Sequence, residues 1–177
     1  MGTDPAGLND TRARLFDRLA SLGIVTTTIA YPAHRTVDEG KSLRGDLAGA
    51  FTKNLLLKDK KGKLFLVVAA EDQEVDLKTL HTRIGAQGRL GFAAADQMRS
   101  RLGVEPGALT PLALVNAASG EVRVVVDESL RGAAQLNFHP LVNTESLGIG
   151  FDDLLTLIRS CGQDALVVSL GGMAARP

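Results

Sequence analysis

FTKNLLLKDKKGKLFLV, residues 51–67, holds two apolar runs joined by a short, strongly basic turn. NLLL and the longer LFLVVAA are apolar at successive positions, the pattern of strands covered on both faces, and KDKKGK between them reads as a hairpin turn. Lys53 is the anomaly, because it stands just where the first strand enters its apolar run. An ammonium group is costly to bury unpaired, so a core strand keeps one only where something uses it. Period-two alternation puts Lys53 on the face of Leu55 and Leu57, with Asn54 turned the other way beside Leu56. Two readings stand side by side: a lysine snorkelling from a strand end, or a functional cation. Lys58, Lys60, Lys61 and Lys63 gather around the turn with one acid, Asp59. Such a cluster is either a solvated turn that discourages edge pairing or a grip on a phosphate backbone close to Lys53.

Outward from this hairpin the chain alternates helices and strands. Residues 1–8 read as loose. Asn9 or Asp10 then caps a helix carrying Leu15, Phe16, Leu19 and Leu22 on one face and stopped by Gly23. The β-branched stretch 24–30 predicts a strand ended by Tyr31-Pro32, and Thr36 to Glu39 has capping-box spacing for a short helix. Residues 76–84 and 95–102 read as helices, the second closed by Gly103, followed by the loop GVEPGALTP (103–111). LALVNAASGEVRVVVD (112–127) reads as a second hairpin turning at Ser119-Gly120. Residues 135–149 predict a strand, a break at Pro140 and another strand; an amphipathic helix over 151–159 and a strand over 165–170 finish the chain. Strands arriving as hairpins between scattered helices indicate a single α+β domain over residues 1–177, built on a mixed, largely antiparallel sheet with flanking helices.

Composition excludes several classes. The 177 residues are 45% hydrophobic and 23% charged, ordinary globular values, and the formal net charge is zero, so any nucleic-acid contact must be a local patch. Aromatics are only 4%, with no Trp, too few for a surface that stacks many bases. One cysteine, Cys161, permits neither an intrachain disulfide nor a cysteine zinc cluster and suits a reducing cytoplasm. There is no signal-peptide pattern and no apolar run of membrane-spanning length. The expectation is a cytoplasmic protein without membrane partners.

Other candidate groups are weaker. His139 sits beside Pro140 at the strand break; a lone histidine is more often structural than catalytic, and no HxxxH or HExxH partner offers a metal site. His34 and His81 read as surface residues and Cys161 as a small core residue. The loop 103–111 fits no phosphate-binding glycine motif, but its glycines and prolines fix an unusual path with amides available to line a pocket. From the residues alone the reading stops at an α+β domain with a lysine-lined pocket.

Taken together, TVDEG (36–40), FTKNLLLKDKKGKLFLVV (51–68), RLGVEPGALTPLAL (101–114) and NFHPLVNTES (137–146) resemble the YbaK/prolyl-tRNA editing family. The blocks run in order from about residue 20 to the C-terminus. With no synthetase catalytic or anticodon-binding sequence, the chain is similar to the free-standing, trans-acting members. The resemblance implies hydrolysis of the ester joining a wrong amino acid to the 3′ end of a tRNA, usually tRNA(Pro). A pocket built for proline cannot strongly reject alanine, since a few methylenes are worth only about 1–3 kcal/mol; a second, smaller pocket sorts by size in the opposite sense. By the same resemblance Lys53 matches the family's essential lysine, anchoring the terminal nucleotide and steadying charge at the ester. Asn54 helps shape the site, and His139 matches the histidine near the pocket. Gly103, Pro106 and Gly107 form the loop whose amides hold the acyl carbonyl, with Thr144 nearby. Lys58, Lys60 and Lys61 are the candidate tRNA contacts.

The implied mechanism is direct water attack helped by a ribose hydroxyl of the substrate, with no metal and no cofactor, because an aminoacyl ester is already a reactive acyl donor. GVEPGALTP resembles the alanine-specific branch, which favours Ala-tRNA(Pro). Cys-tRNA(Pro) is the enzymatic alternative, and a non-catalytic nucleic-acid-binding module is the alternative from another class. Expected partners are the acceptor end of mischarged tRNA(Pro) and either prolyl-tRNA synthetase or an elongation factor.

Overall fold

The computed structural model describes residues 5–32, 47–142 and 144–171; the capping box at Thr36–Glu39 and His34 lie outside these. In chain order the elements are α1 (Pro5–Ser21), β1 (Thr27–Ala30), β2 (Ala50–Lys58), β3 (Leu64–Ala70), α2 (Leu77–Ile84), β4 (Gly91–Phe92) and α3 (Ala95–Leu102). A 3₁₀ turn (Pro111–Asn116), β5 (Val122–Asp127) and a second 3₁₀ turn (Glu128–Gly132) follow, then β6 (Leu136–Phe138), β7 (Glu145–Ile149), α4 (Phe151–Ser160) and β8 (Asp164–Val168). One mixed sheet runs β1-β7-β6-β2-β3-β5-β8, with β4 added beside β2. The expected α+β architecture is present.

The quoted stretch is the hairpin at the heart of this sheet. β2 and β3 pair antiparallel from Thr52–Ala70 to Lys58–Leu64. Both faces of the hairpin are covered, as the continuous apolar runs require. Leu56, Leu64, Leu66 and Val68 face a core completed by Leu15 and Leu19 of α1, Leu102 of α3 and Leu154, Leu157 and Ile158 of α4. Leu57, Phe65, Val67 and Ala69 face the other way onto Leu80 and Ile84 of α2, with Leu55 against them. The alternation read for β2 is therefore the alternation observed.

Local chemistry explains most boundaries. Asp76 caps α2 by accepting the Lys78 amide, and Gly85 and Gly103 close α2 and α3 in the left-handed conformation. α1 begins at Pro5, ahead of the caps expected at Asn9 or Asp10, in keeping with the preference for proline at a first helical turn. The strand expected over 24–30 shrinks to Thr27–Ala30, an exposed edge strand against β7.

The larger difference lies at 112–127, where no hairpin forms. Pro111–Asn116 is a 3₁₀ turn, capped by Thr110, whose hydroxyl accepts the Leu112 amide, and opened by Pro111. Its apolar side chains are buried against helices α1, α3 and α4 rather than in a ladder. β5 pairs parallel to β3 on one side and β8 on the other. Apolar runs of this length do not distinguish a strand from any other covered segment.

The basic turn is stapled from inside. Asp59, only 6% exposed, accepts the amides of Lys61 and Lys63 within the turn and that of Gln87 from the α2–β4 connection. The Gln87 amide above all, then those of Lys63 and Lys61 and the Lys63 charge, hold its carboxyl below the ordinary aspartate range, against the opposing effect of burial. A carboxyl depressed in the folded state contributes stability that is present above its unfolded pKa, about 3.9, and lost as pH falls through the lower folded value. Asp59→Ala should lower unfolding free energy by about 2 kcal/mol in urea titrations near neutrality, with the gap to the parent closing at the acid end.

Candidate functional site

β2 and β6 run parallel for only two residue pairs, Ala50–Leu136 and Phe51–Asn137, and then separate. A recess of about 30 Å³ occupies the opening, lined by Phe51, Thr52 and Asn54 of β2, Asn137, Phe138 and His139 at the end of β6, Ser146 of β7 and Leu109 from the loop after α3. Residues of both strand parities line it: Phe51 and Asn137 belong to one face, Thr52, Asn54 and Phe138 to the other.

Several contacts hold this opening in shape. The Ala50 amide donates to Gln135 O, and the Gln135 and Asn137 side-chain amides both donate to Ala48 O. Gly49, at φ +103°, sits so close to Gln135 that a Cβ would come within 2.5 Å of its Cγ and its carbonyl oxygen. Only glycine allows that approach. On the other wall His139 O accepts the Leu141 amide across Pro140, a tight turn that leaves buried Leu141 at φ +69°.

The polar lining is incompletely satisfied. Asn54 Nδ2 donates to Leu109 O at 3.0 Å, tying β2 to the loop, while Asn54 Oδ1 and the Thr52 hydroxyl are buried with no hydrogen-bond partner among the described residues. Buried polar atoms left in this state carry a real free-energy cost, and a ligand that supplies partners recovers it.

The residues singled out in the sequence separate into groups. Asn54 and His139 meet at the recess. Lys53, between Thr52 and Asn54 and laddered to Ala69, takes the opposite face from Asn54, the one shared with Phe51; it is not among the lining residues, and its side chain makes no hydrogen bond or ion pair among the described residues. The 103–110 loop reaches the recess through Leu109. Gly103 is the closing residue of α3, its amide donating to Arg99 O, and Pro106 has no N–H; the Gly107 and Leu109 amides donate to no acceptor among the described residues. Thr144 O accepts the Tyr31 amide, and Thr144 is not among the lining residues.

Lys58, Lys60 and Lys61 lie at the far end of β2, about 17 Å or more along the strand from Lys53, so the basic turn is not adjacent to that lysine as expected. His81 is half-buried with its Nδ1 inside, not a surface residue. Cys161 ends α4 against the main core, and burial raises its thiol pKa.

Sequence reasoning missed Thr52 and Leu109. Thr52 was within reach, since alternation places it on the face of Asn54; Leu109 arrives from a segment far along the chain.

The profile of the aminoacyl-tRNA editing domain matches residues 31–157. The chain belongs to this aminoacyl-tRNA editing family. It is 36% identical over 164 residues to prolyl-tRNA synthetase associated domain-containing protein 1 of Bos taurus, covering 90% of this chain and 95% of that one. It is 32% identical over 162 residues to the prolyl-tRNA editing protein ProX of Acetoanaerobium sticklandii, covering 91% and 98%. The fold matches a crystal structure of a candidate trans-editing enzyme for prolyl-tRNA synthetase with a TM-score of 0.71 at 21% identity, across 97% of this chain and 99% of that one. Among the described residues of this editing-family chain, no helix is long and apolar enough to cross a membrane.

Asn54→Ala orphans the Leu109 carbonyl and unties the loop from β2, at about 1–2 kcal/mol. Hydrogen exchange of the Ala108, Leu112 and Ala113 amides should quicken roughly tenfold, with exchange in the β3–β5 ladder unchanged.

Proposed function

We propose that this protein is a trans-acting editing hydrolase that deacylates mischarged tRNA(Pro), with Ala-tRNA(Pro) as its principal substrate. The observation that carries the reading is the recess itself: small, fixed between two strands, and lined by the unpartnered Thr52 hydroxyl and Asn54 Oδ1. We read this recess as seating a methyl side chain and turning away a pyrrolidine ring, the sorting by size that a second sieve requires. Family membership and the name of the bacterial relative support editing of prolyl-tRNA.

In this reading the alanyl group enters between β2 and β6. Its ammonium group meets Asn54 Oδ1 and the Thr52 hydroxyl. The Gly107 and Leu109 amides hold the acyl carbonyl, which takes up negative charge as water attacks. Lys53, on the Phe51 face beside the recess, holds the phosphate or sugar of the terminal nucleotide and steadies that charge. The water oxygen bonds to the acyl carbon, the bond to the ribose oxygen breaks, and the water proton passes to that oxygen with help from the adjacent ribose hydroxyl. The products are free alanine and a tRNA with its 3′ end restored. The Lys58, Lys60 and Lys61 turn lies at a distance suited to a phosphate further along the acceptor stem.

Release of labelled alanine from Ala-tRNA(Pro), with Cys-tRNA(Pro) and Pro-tRNA(Pro) alongside, tests the reading. Alanine should be freed catalytically, cysteine slowly and proline not at all. Retarded mobility without release would make the protein a binder instead. Lys53→Ala should abolish release while leaving circular dichroism unchanged; parental rates in this variant would remove Lys53 from the mechanism.

Changing Lys58, Lys60 and Lys61 together to alanine should raise KM with kcat retained. The salt slope of log KM should flatten by about one unit for each lysine–phosphate pairing that the substitutions abolish.

A further inference from the structure

Phe92 is 62% exposed, the only aromatic among the large apolar side chains left to solvent in the described residues. It stands on β4, which pairs with β2 at Leu57 and Lys58 on the flank away from β3. β6 holds the same flank at Ala50 and Phe51, so the recess opens between two short partners of one strand edge. Phe92 is laddered to Leu57, and partners across a ladder share a face. Alternation along β2 makes that the face of Lys53 as well. Leu57 is covered there by α2, but Phe92, one strand further out, is not. Four residue steps, about 13 Å, separate Lys53 from the ladder position of Phe92.

The surroundings of Phe92 are cationic. The turn 58–63 and the connection 85–92 carry Lys58, Lys60, Lys61, Lys63 and Arg89 against one acid, Asp59, which is buried on main-chain amides. The two segments are held together. The Lys60 amide donates to Gln87 O, and the Lys60 stem lies so close to Gly88 that a Cβ there would come within 2.8 Å of its Cδ. Exposed Arg89 follows directly, and none of Lys58, Lys60, Lys61 and Arg89 makes an ion pair among the described residues. An exposed ring by itself is ordinary at a surface. A ring set among unpaired cations is the combination that binds single-stranded nucleic acid, the cations following the phosphates and the ring taking a base.

We propose that Phe92 is a stacking platform for one unpaired base of an RNA 3′ strand, with Lys60, Lys61 and Arg89 holding the flanking phosphates. The inference deepens the editing reading and rests on it for the identity of the strand, the unpaired end of a tRNA acceptor arm. With the terminal nucleotide at Lys53, about 13 Å at about 3.4 Å per stacked nucleotide places the base on Phe92 about four nucleotides back from the ester. The scarcity of aromatics excludes a surface that stacks many bases, but one base needs only one ring.

Fluorescence anisotropy of an uncharged RNA hairpin with a single-stranded 3′ tail of about four nucleotides, set against the same hairpin made blunt, reads this contact without any ester being cleaved. The wild type should bind the tailed hairpin about tenfold more tightly than the blunt one. Phe92→Ala, a change at an exposed side chain, should remove that advantage and leave binding of the blunt hairpin as it was. The salt slope of log Kd should not change, because stacking releases no counterions, and Phe92→Trp should keep the tail preference.

Equal affinity of the wild type and Phe92→Ala for the tailed hairpin overturns the proposal. So does a flattened salt slope in Phe92→Ala, which would make the ring a prop for the lysines. A variant altered in sedimentation but not in RNA affinity would mark the ring as an interface between copies and overturns it too. Binding that depends on both the tail and Phe92 upholds the platform even if no aminoacyl ester is hydrolysed, in which case the fault lies with the proposed function.

Discussion

The structure turns on a ladder that stops early. β2 is paired with β3 along nearly its whole length, but on its other side it holds β6 for only two residue pairs. A fully zipped pair would place backbone where the recess lies. The short register is enforced at its root by Gly49 lying against Gln135 and by the side-chain amides of Gln135 and Asn137 converging on Ala48 O. At the other end, β6 gives out at Pro140, which has no amide hydrogen for a ladder. Asn54, Thr52 and His139 are brought together by that separation and by nothing nearer to them in sequence.

The basic turn shows how one acid can sharpen a cationic surface. Asp59 is the only carboxylate in a run of four lysines, and it is turned inward onto the amides of Lys61, Lys63 and Gln87. Its negative charge serves the turn's own backbone. Lys63 Nζ lies over the Phe65 ring, 5.9 Å from its centroid, while Lys58, Lys60 and Lys61 make no ion pair among the described residues. The same staple brings the α2–β4 connection against the turn, so Arg89 is carried to the same corner of the molecule.

Local chemistry was legible; neighbours in space were not. The β2–β3 hairpin, the helix at 76–84, the Gly103 stop and the break at Pro140 each depend on residues a few positions apart, and each stands where the chain implies. The 3₁₀ turn at Pro111–Asn116 was misread because LALV is covered by helices, and coverage looks the same whatever supplies it. The parallel pairings β3–β5 and β5–β8 leave no trace in periodicity, which reports which face a residue takes and not which strand lies beside it. The site followed the same division. Lys53, Asn54 and His139 stood out through motifs, but the recess also takes Leu109 and Ser146 from distant segments whose residues are individually ordinary.

Nearly every wall of the recess is sheet or sheet end, held by ladder bonds and by buried side chains on both sides. Leu109 is the exception, carried on a connection and moored mainly through Asn54. A chamber of this build cannot widen gradually to suit a new guest, because shifting one strand disturbs every strand beside it. Altered selectivity in descendants of this chain would therefore be written at the mooring and its leucine, by exchange of one side chain or a respacing of the tether, while the masonry around them stays as it is.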